Sequence, residues 1–229
     1  MRLDRFVCKS TELTKHHAIQ LINKGKVFVN GKAVTDEATQ VHENNQITLN
    51  DQLLKTRAFR YILIHKPVNT ICSNVDEAYP SLFNYLAVDN VSELHIAGRL
   101  DADTTGLVLV TDDGRWSFDI IRPERQCKKI YRVGISKPIE KELADRFKNG
   151  IKLQGESNRT RPAELVIINP NEVLLTITEG KFHQVKRMFS AVGNRVTSLH
   201  RERIGEISLD VDAGQWRYLT TDEVSSFNA

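Results

Sequence analysis

Between His95 and Leu107 the chain reads His95-Ile96-Ala97-Gly98-Arg99-Leu100-Asp101-Ala102-Asp103-Thr104-Thr105-Gly106-Leu107, the stretch with the clearest chemical character among its 229 residues. Two carboxylates two positions apart lie in a polar run bounded by apolar residues. A carboxylate can attack as a nucleophile or remove a proton as a general base. A pair can also begin a cation site, but no His, Glu or third Asp nearby completes a ligand set. The same two aspartates suit an Asx turn that caps backbone N–H groups, and the loop taken alone leaves both readings open. Elsewhere the seven histidines form no HExxH or i, i+4 pair, and no Ser-His-Asp or Cys-His signature is present.

Such a loop is useful only if both ends are held. A strand over 94–97 leads in, Gly106 permits a tight return, and the apolar run Leu107-Val108-Leu109-Val110 leads out as a strand over 107–111. Further strands are predicted at 61–65, 129–135, 163–168, 173–178 and 195–199, and helices at 81–87, 115–121, 138–148, 181–192 and 221–227. Asn169-Pro170-Asn171-Glu172 reads as a hairpin turn. Helices and hairpins mix without a regular βαβ repeat, and neither nucleotide-binding glycine fingerprint occurs. The expected class is α+β with mainly antiparallel pairing.

The N-terminal block reads as two helices and a hairpin. Leu3, Phe6 and Val7 form one apolar stripe, and Ala18, Ile19, Leu21 and Ile22 a second, with Gly25 as its C-terminal cap. Val27-Phe28-Val29, Asn30-Gly31 and Lys32-Ala33-Val34 spell strand, tight turn and strand. Arg2, Arg5, Lys9, Lys15, Lys24 and Lys26 give this block one basic side. Residues 51–60 show no clear periodicity and read as connecting chain.

The net charge of +3 hides an uneven distribution. Residues 1–60 carry +4, 61–114 carry −6, 115–205 carry +9 and 206–229 carry −4. Two basic blocks flanking an acidic one suggest a polyanion held at two places, nucleic acid among the candidates. The apolar runs are far shorter than the roughly 18 residues of a membrane span. The opening MRLDRFVCKS has no unbroken apolar core for a secretory signal, so a cytoplasmic location is expected. Three separated cysteines, Cys8, Cys72 and Cys127, fit reduced thiols better than a disulfide framework or a metal site.

Residues 2–34 resemble the S4 RNA-binding domain, a small α/β module that presents a basic helical face to folded RNA. The resemblance covers about the first 55 residues; Thr14-Lys15 stands where the family usually has Ser-Arg. Gly98-Arg99-Leu100-Asp101, Thr104 and Gly106-Leu107 match the GRLDxxTxGL signature of pseudouridine synthases of the small-subunit ribosomal RNA type. Lys129-Ile130-Tyr131-Arg132-Val133 resembles that family's K-x-Y-x-V strand, and Glu179 to Met188 its EGxxHQVKRM helix. The segments Val196 to Gly205 and Trp216 to Thr220 fit as well.

The resemblance implies an S4-like RNA-binding domain over 1–55, a linker over 56–60, and over 61–229 a catalytic domain with a mainly antiparallel mixed sheet flanked by helices. It implies that a uridine of 16S ribosomal RNA, in a partly assembled small subunit, is isomerised to pseudouridine by a cytoplasmic monomer without cofactor or metal. Asp101 is then the catalytic carboxylate, with Tyr131 against the base and Lys186 as cationic partner, a place Arg187 could also take. Leu199 would pack on the flipped base and Arg99 hold a phosphate or fill the vacated position. The basic residues of the first block, Arg187, and the cluster Arg122, Arg125, Lys128, Lys129, Arg201 and Arg203 would grip RNA. A large-subunit RNA substrate, or an S4-type assembly protein without activity, are the alternatives.

Overall fold

A computed structural model describes residues 1–42, 44–140 and 142–227. The chain divides into two compact units, Met1–Ala58 and Phe59–Ala229.

The first unit contains α1 (Leu3–Ser10), α2 (Lys15–Asn23), β1 (Val27–Val29), β2 (Lys32–Val34), β3 (Ile47–Leu49) and β4 (Gln52–Leu53). The strands form an antiparallel sheet in the order β2-β1-β3-β4. The predicted helices and hairpin are present. Thr14 caps α2 by accepting from the His17 amide at 3.4 Å. Asn30 and Gly31 take the two positive φ values, 50° and 78°, that a tight hairpin needs. Strand β4 lies within the stretch expected to be connecting chain, because its pairing comes from β3 rather than from local periodicity.

Leu3, Val7, Ala18, Ile22, Val27, Val41, Ile47 and Leu49 form this unit's core. Arg5, Lys15, Lys24 and Lys26 are exposed, and Arg2 is exposed but tied to buried Asp4 at 3.1 Å. Lys9 departs from expectation. It lies on the buried face of α1, so its amine is not part of the exposed basic surface.

The second unit contains β5 (Tyr61–Lys66), β6 (His95–Ala97), β7 (Thr105–Thr111), α3 (Gly114–Ile121), β8 (Lys129–Ile135), α4 (Leu143–Lys148), β9 (Glu164–Asn169), β10 (Glu172–Ile177), α5 (Gln184–Ala191), β11 (Val196–Ile204), β12 (Ile207–Ser208), β13 (Trp216–Tyr218) and α6 (Thr221–Ser225). The sheet runs β13-β5-β7-β11-β8-β10-β9, with β6 on β7 and β12 on β11. Among the described residues β7 and β11 are the parallel pair, and the other pairings are antiparallel. The turn at Pro170-Asn171 joins β9 to β10 as predicted. Helix α4 is shorter than predicted, beginning at Leu143, and part of the predicted span at residue 141 lies outside the described residues. Strands β12 and β13 were not predicted.

Alternating side chains explain the apolar run in β7. Val108 and Val110 join Ile62, Ile64, Phe147, Met188 and Phe189 in one core, whereas Leu107 and Leu109 join Leu63, Trp116 and Ile120 in another. Both faces of the central strands are therefore covered, with α4 and α5 on one and α3 on the other. No helix among the described residues is long and apolar enough to cross a membrane.

Candidate active site

The loop between β6 and β7 is fastened from behind. Lys66, fully buried at the end of β5, donates from Nζ to the carbonyls of Ala102 at 3.1 Å, Thr104 at 2.8 Å and Pro67 at 3.0 Å. Burial lowers its pKa to about 8. The Asn69 amide also donates to Ala102 O, and the Leu100 amide to Cys72 Sγ. The Thr104 amide closes a turn on Asp101 O at 3.1 Å.

Arg201 secures both stems. Its guanidinium is 1% exposed and donates from Nε to Leu107 O and from Nη2 to Gly98 O, each at 2.7 Å. Nη1 donates to the Tyr131 hydroxyl at 3.2 Å, across the β8–β11 pair in which the two residues face each other. Close approach of the parallel strands requires Gly106. A Cβ there would lie 2.3 Å from Arg201 O, and its φ of +111° suits glycine alone.

In front of the loop, the first turn of α5 delivers Lys186. Its Nζ lies 3.0 Å from Asp101 Oδ2 and 2.6 Å from Asp103 Oδ1. The Lys186 hydrogen bond holds the Asp103 carboxyl below the usual range. Burial opposes the Lys186 charge, but its hydrogen bonds to Asp103 and Asp101 outweigh that, so its pKa is raised. His183 brings Nε2 to 3.4 Å from Asp101 Oδ1, from a left-handed backbone with φ 46°.

Asp101, Tyr131, Lys186 and Leu199 line one cleft of about 530 Å³, with Arg99 exposed at its edge. That volume accommodates a nucleoside. Arg187 points elsewhere, as the roughly 100° between successive helical residues requires. It donates to Glu156 at 3.1 Å and to Gln154 O at 2.8 Å, which leaves Lys186 as the partner of Asp101.

Two expected RNA-gripping residues of the second unit are interior instead, as Lys9 is in the first. Arg201 is occupied as above, and Lys129 is buried with Nζ bonded to Ile120 O and Cys127 O. Arg122 pairs with Asp119 at 2.7 Å, Arg125 lies 3.6 Å from the same carboxylate, Arg203 pairs with Glu206 at 2.6 Å, and Lys128 is exposed. Sequence reasoning missed the parts played by Lys66, His183 and Arg201. A lysine two residues beyond the apolar run Ile62-Leu63-Ile64, in phase with its buried side, is the signal that could have found Lys66.

Comparison with known proteins agrees with this geometry. Residues 60–191 match the family described as RNA pseudouridylate synthase, and residues 1–47 match the S4 domain. The ribosomal small subunit pseudouridine synthase A of Vibrio cholerae is 45% identical over 228 residues, covering 99% of each chain. The Escherichia coli protein of the same name is 42% identical over 229 residues, again covering 99% of both. A crystal structure of a pseudouridylate synthase superposes with a TM-score of 0.73 at 40% identity, covering 99% of each chain. A loop aspartate held by a helix lysine, within a chain that matches such proteins from end to end, places this chain in the RNA pseudouridylate synthase family.

Proposed function

We propose that the protein converts a uridine of small-subunit, 16S, ribosomal RNA to pseudouridine. The relatives' names support the substrate class, and the observation that carries the chemistry is the Lys186–Asp101 contact within the cleft. Lys186 holds Asp101 aimed into the cleft, so that the carboxylate attacks C1′ of the ribose or removes a ribose proton. The N1–C1′ bond breaks, the uracil turns in the cleft, and C5 bonds to C1′. C5 gives up its proton and N1 takes one. Composition and oxidation state are unchanged, so the balance calls for no cofactor.

Tyr131 flanks the base and relays the C5 proton, its oxygen fixed by Arg201. Leu199 supplies an apolar wall. A base in a duplex must leave the stack first, at a few kcal/mol, and Arg99 at the edge holds the flanking phosphate or fills the vacancy. Residues 1–55 anchor the RNA through Arg2, Arg5, Lys15, Lys24 and Lys26, residues 56–60 link, and residues 61–229 catalyse. The target is a partly assembled small subunit in the cytoplasm, and the enzyme acts as a monomer.

Pseudouridine mapping in both ribosomal RNAs from a strain lacking the protein tests this reading. One small-subunit site should be lost and the large-subunit sites retained. Loss of a large-subunit site instead, or of none, would overturn it.

A further inference from the structure

The edge of the cleft carries an aromatic ring that neither the core nor the chemistry above uses. Phe182 is 75% exposed, more than any other large hydrophobic among the described residues. Leaving a phenyl ring in water is unfavourable, and this one is not left to fold away. It stacks on His183 with centroids 3.7 Å apart and planes 22° from parallel. Its backbone is pinned, since Arg187 donates to Phe182 O at 3.0 Å and both Arg187 and Lys181 are bound to Glu156. One face of the ring is stacked on His183, and the residue as a whole remains largely in solvent. His183 in turn touches Asp101.

We propose that the outer face of Phe182 is a stacking platform for the nucleobase next to the target uridine, purines being favoured for their larger π surface. This rests on the functional reading above. When a uridine enters the cleft, its neighbour on the strand loses a stacking partner. An aromatic ring fixed at the edge restores that contact whatever the base, because every base has a π face. The nearby cations Lys181 and Arg187 are engaged with Glu156, so the recognition here is aromatic rather than electrostatic. The neighbouring base, Phe182 and His183 then form three layers ending at Asp101.

The test uses the full-length protein with in vitro transcribed 16S ribosomal RNA as probe. Phe182→Ala should weaken binding about 5- to 150-fold, the equivalent of about 1–3 kcal/mol per stacked base. The factor should be the same at low and moderate salt, unlike that of a phosphate contact, and should fall on KM rather than kcat. Phe182→Trp should keep wild-type affinity, and RNA should quench its added indole emission. Affinity of Phe182→Ala within twofold of wild type, or tryptophan emission unchanged at saturating RNA, overturns the platform. Binding and quenching need no turnover, so weakened binding by Phe182→Ala and quenched emission in Phe182→Trp, together with a wild-type protein that forms no pseudouridine in a partly assembled small subunit, overturn the functional reading alone.

Discussion

The ammonium of Lys186 bridges two carboxylates of one loop, 3.0 Å from Asp101 and 2.6 Å from Asp103. The shorter contact goes to the more exposed aspartate: the Asp103 side chain is 68% exposed and that of Asp101 32%. Asp103 thus steadies the lysine from the solvent side while Asp101 faces the cleft.

From this asymmetry, Asp101→Asn should abolish pseudouridine formation, with losses of at least about 1,000-fold, because the group proposed to react is gone. Asp103→Asn should cost less than about tenfold. Lys186→Met should lose about 100- to 1,000-fold, comparable to removing one preorganised electrostatic partner, and Lys186→Arg should recover most of it. Single-turnover assays on 16S ribosomal RNA measure each. Asp101→Asn equal to wild type would refute the assigned mechanism.

Lys66 gives the reactive loop an alkaline limit. Its folded pKa of about 8 lies below the 10.5 of an unconstrained lysine, so between these values the unfolded chain binds more protons. Its contribution to stability therefore rises with pH across that window. Above pH 8 the neutral amine has two N–H groups for three carbonyls. Activity should decline on that limb, and Lys66→Met should lack it while losing about 1–3 kcal/mol of stability at pH 7 through unsatisfied carbonyls. Urea melts and pH–rate profiles read both.

Arg217 and Glu223 tie β13 to α6, and the arginine's hydrogen bonds lower the Glu223 pKa to about 2, against 4.5 for the free side chain. That stability is present above pH 4.5 and lost as pH falls toward 2. Glu223→Gln keeps the capping box with Thr220 but not the charge. It should lower Tm by about 1–4 °C at pH 7, the scale of a partly exposed ion pair, and by progressively less as pH falls toward 2, where about half of the Glu223 carboxyl is protonated.

Lys9 and Lys15 should separate cleanly despite their shared charge. Lys15→Ala should leave Tm unchanged and weaken RNA binding, with the salt slope reduced by about one. Lys9→Ala should lower Tm and leave the slope intact, since its side chain is buried. Filter binding across a salt series, with thermal melts, checks the pair.

Wherever local pattern settles structure, the sequence was legible: the stripe of Leu3 and Val7, the Asn30-Gly31 turn, the run Leu107 to Val110 and the segment around Asp101. The Lys186 contact could be anticipated but not separated from Arg187, because helix phase depends on where α5 docks. Charged residues used inside the fold were misjudged. Lys9, Lys129 and Arg201 were counted as surface because lysine and arginine mostly are. Only tertiary pairing reveals the carbonyls that Lys129 and Arg201 satisfy. Strands β12 and β13 are two and three residues long and owe their existence to partners distant or adjacent in the sheet.

The three bonds of Arg201 also impose an order in time. Its partner Gly98 lies 103 residues earlier in the chain, Leu107 94 and Tyr131 70. Contacts of such separation close late in folding. While it is being synthesised, the chain holds the whole S4-like region and the Asp101 loop long before it holds the residue that gives that loop its shape. If the first unit binds RNA and the Asp101 loop reacts as proposed, RNA affinity precedes catalytic competence, and an unfinished chain meets its substrate without being able to alter it.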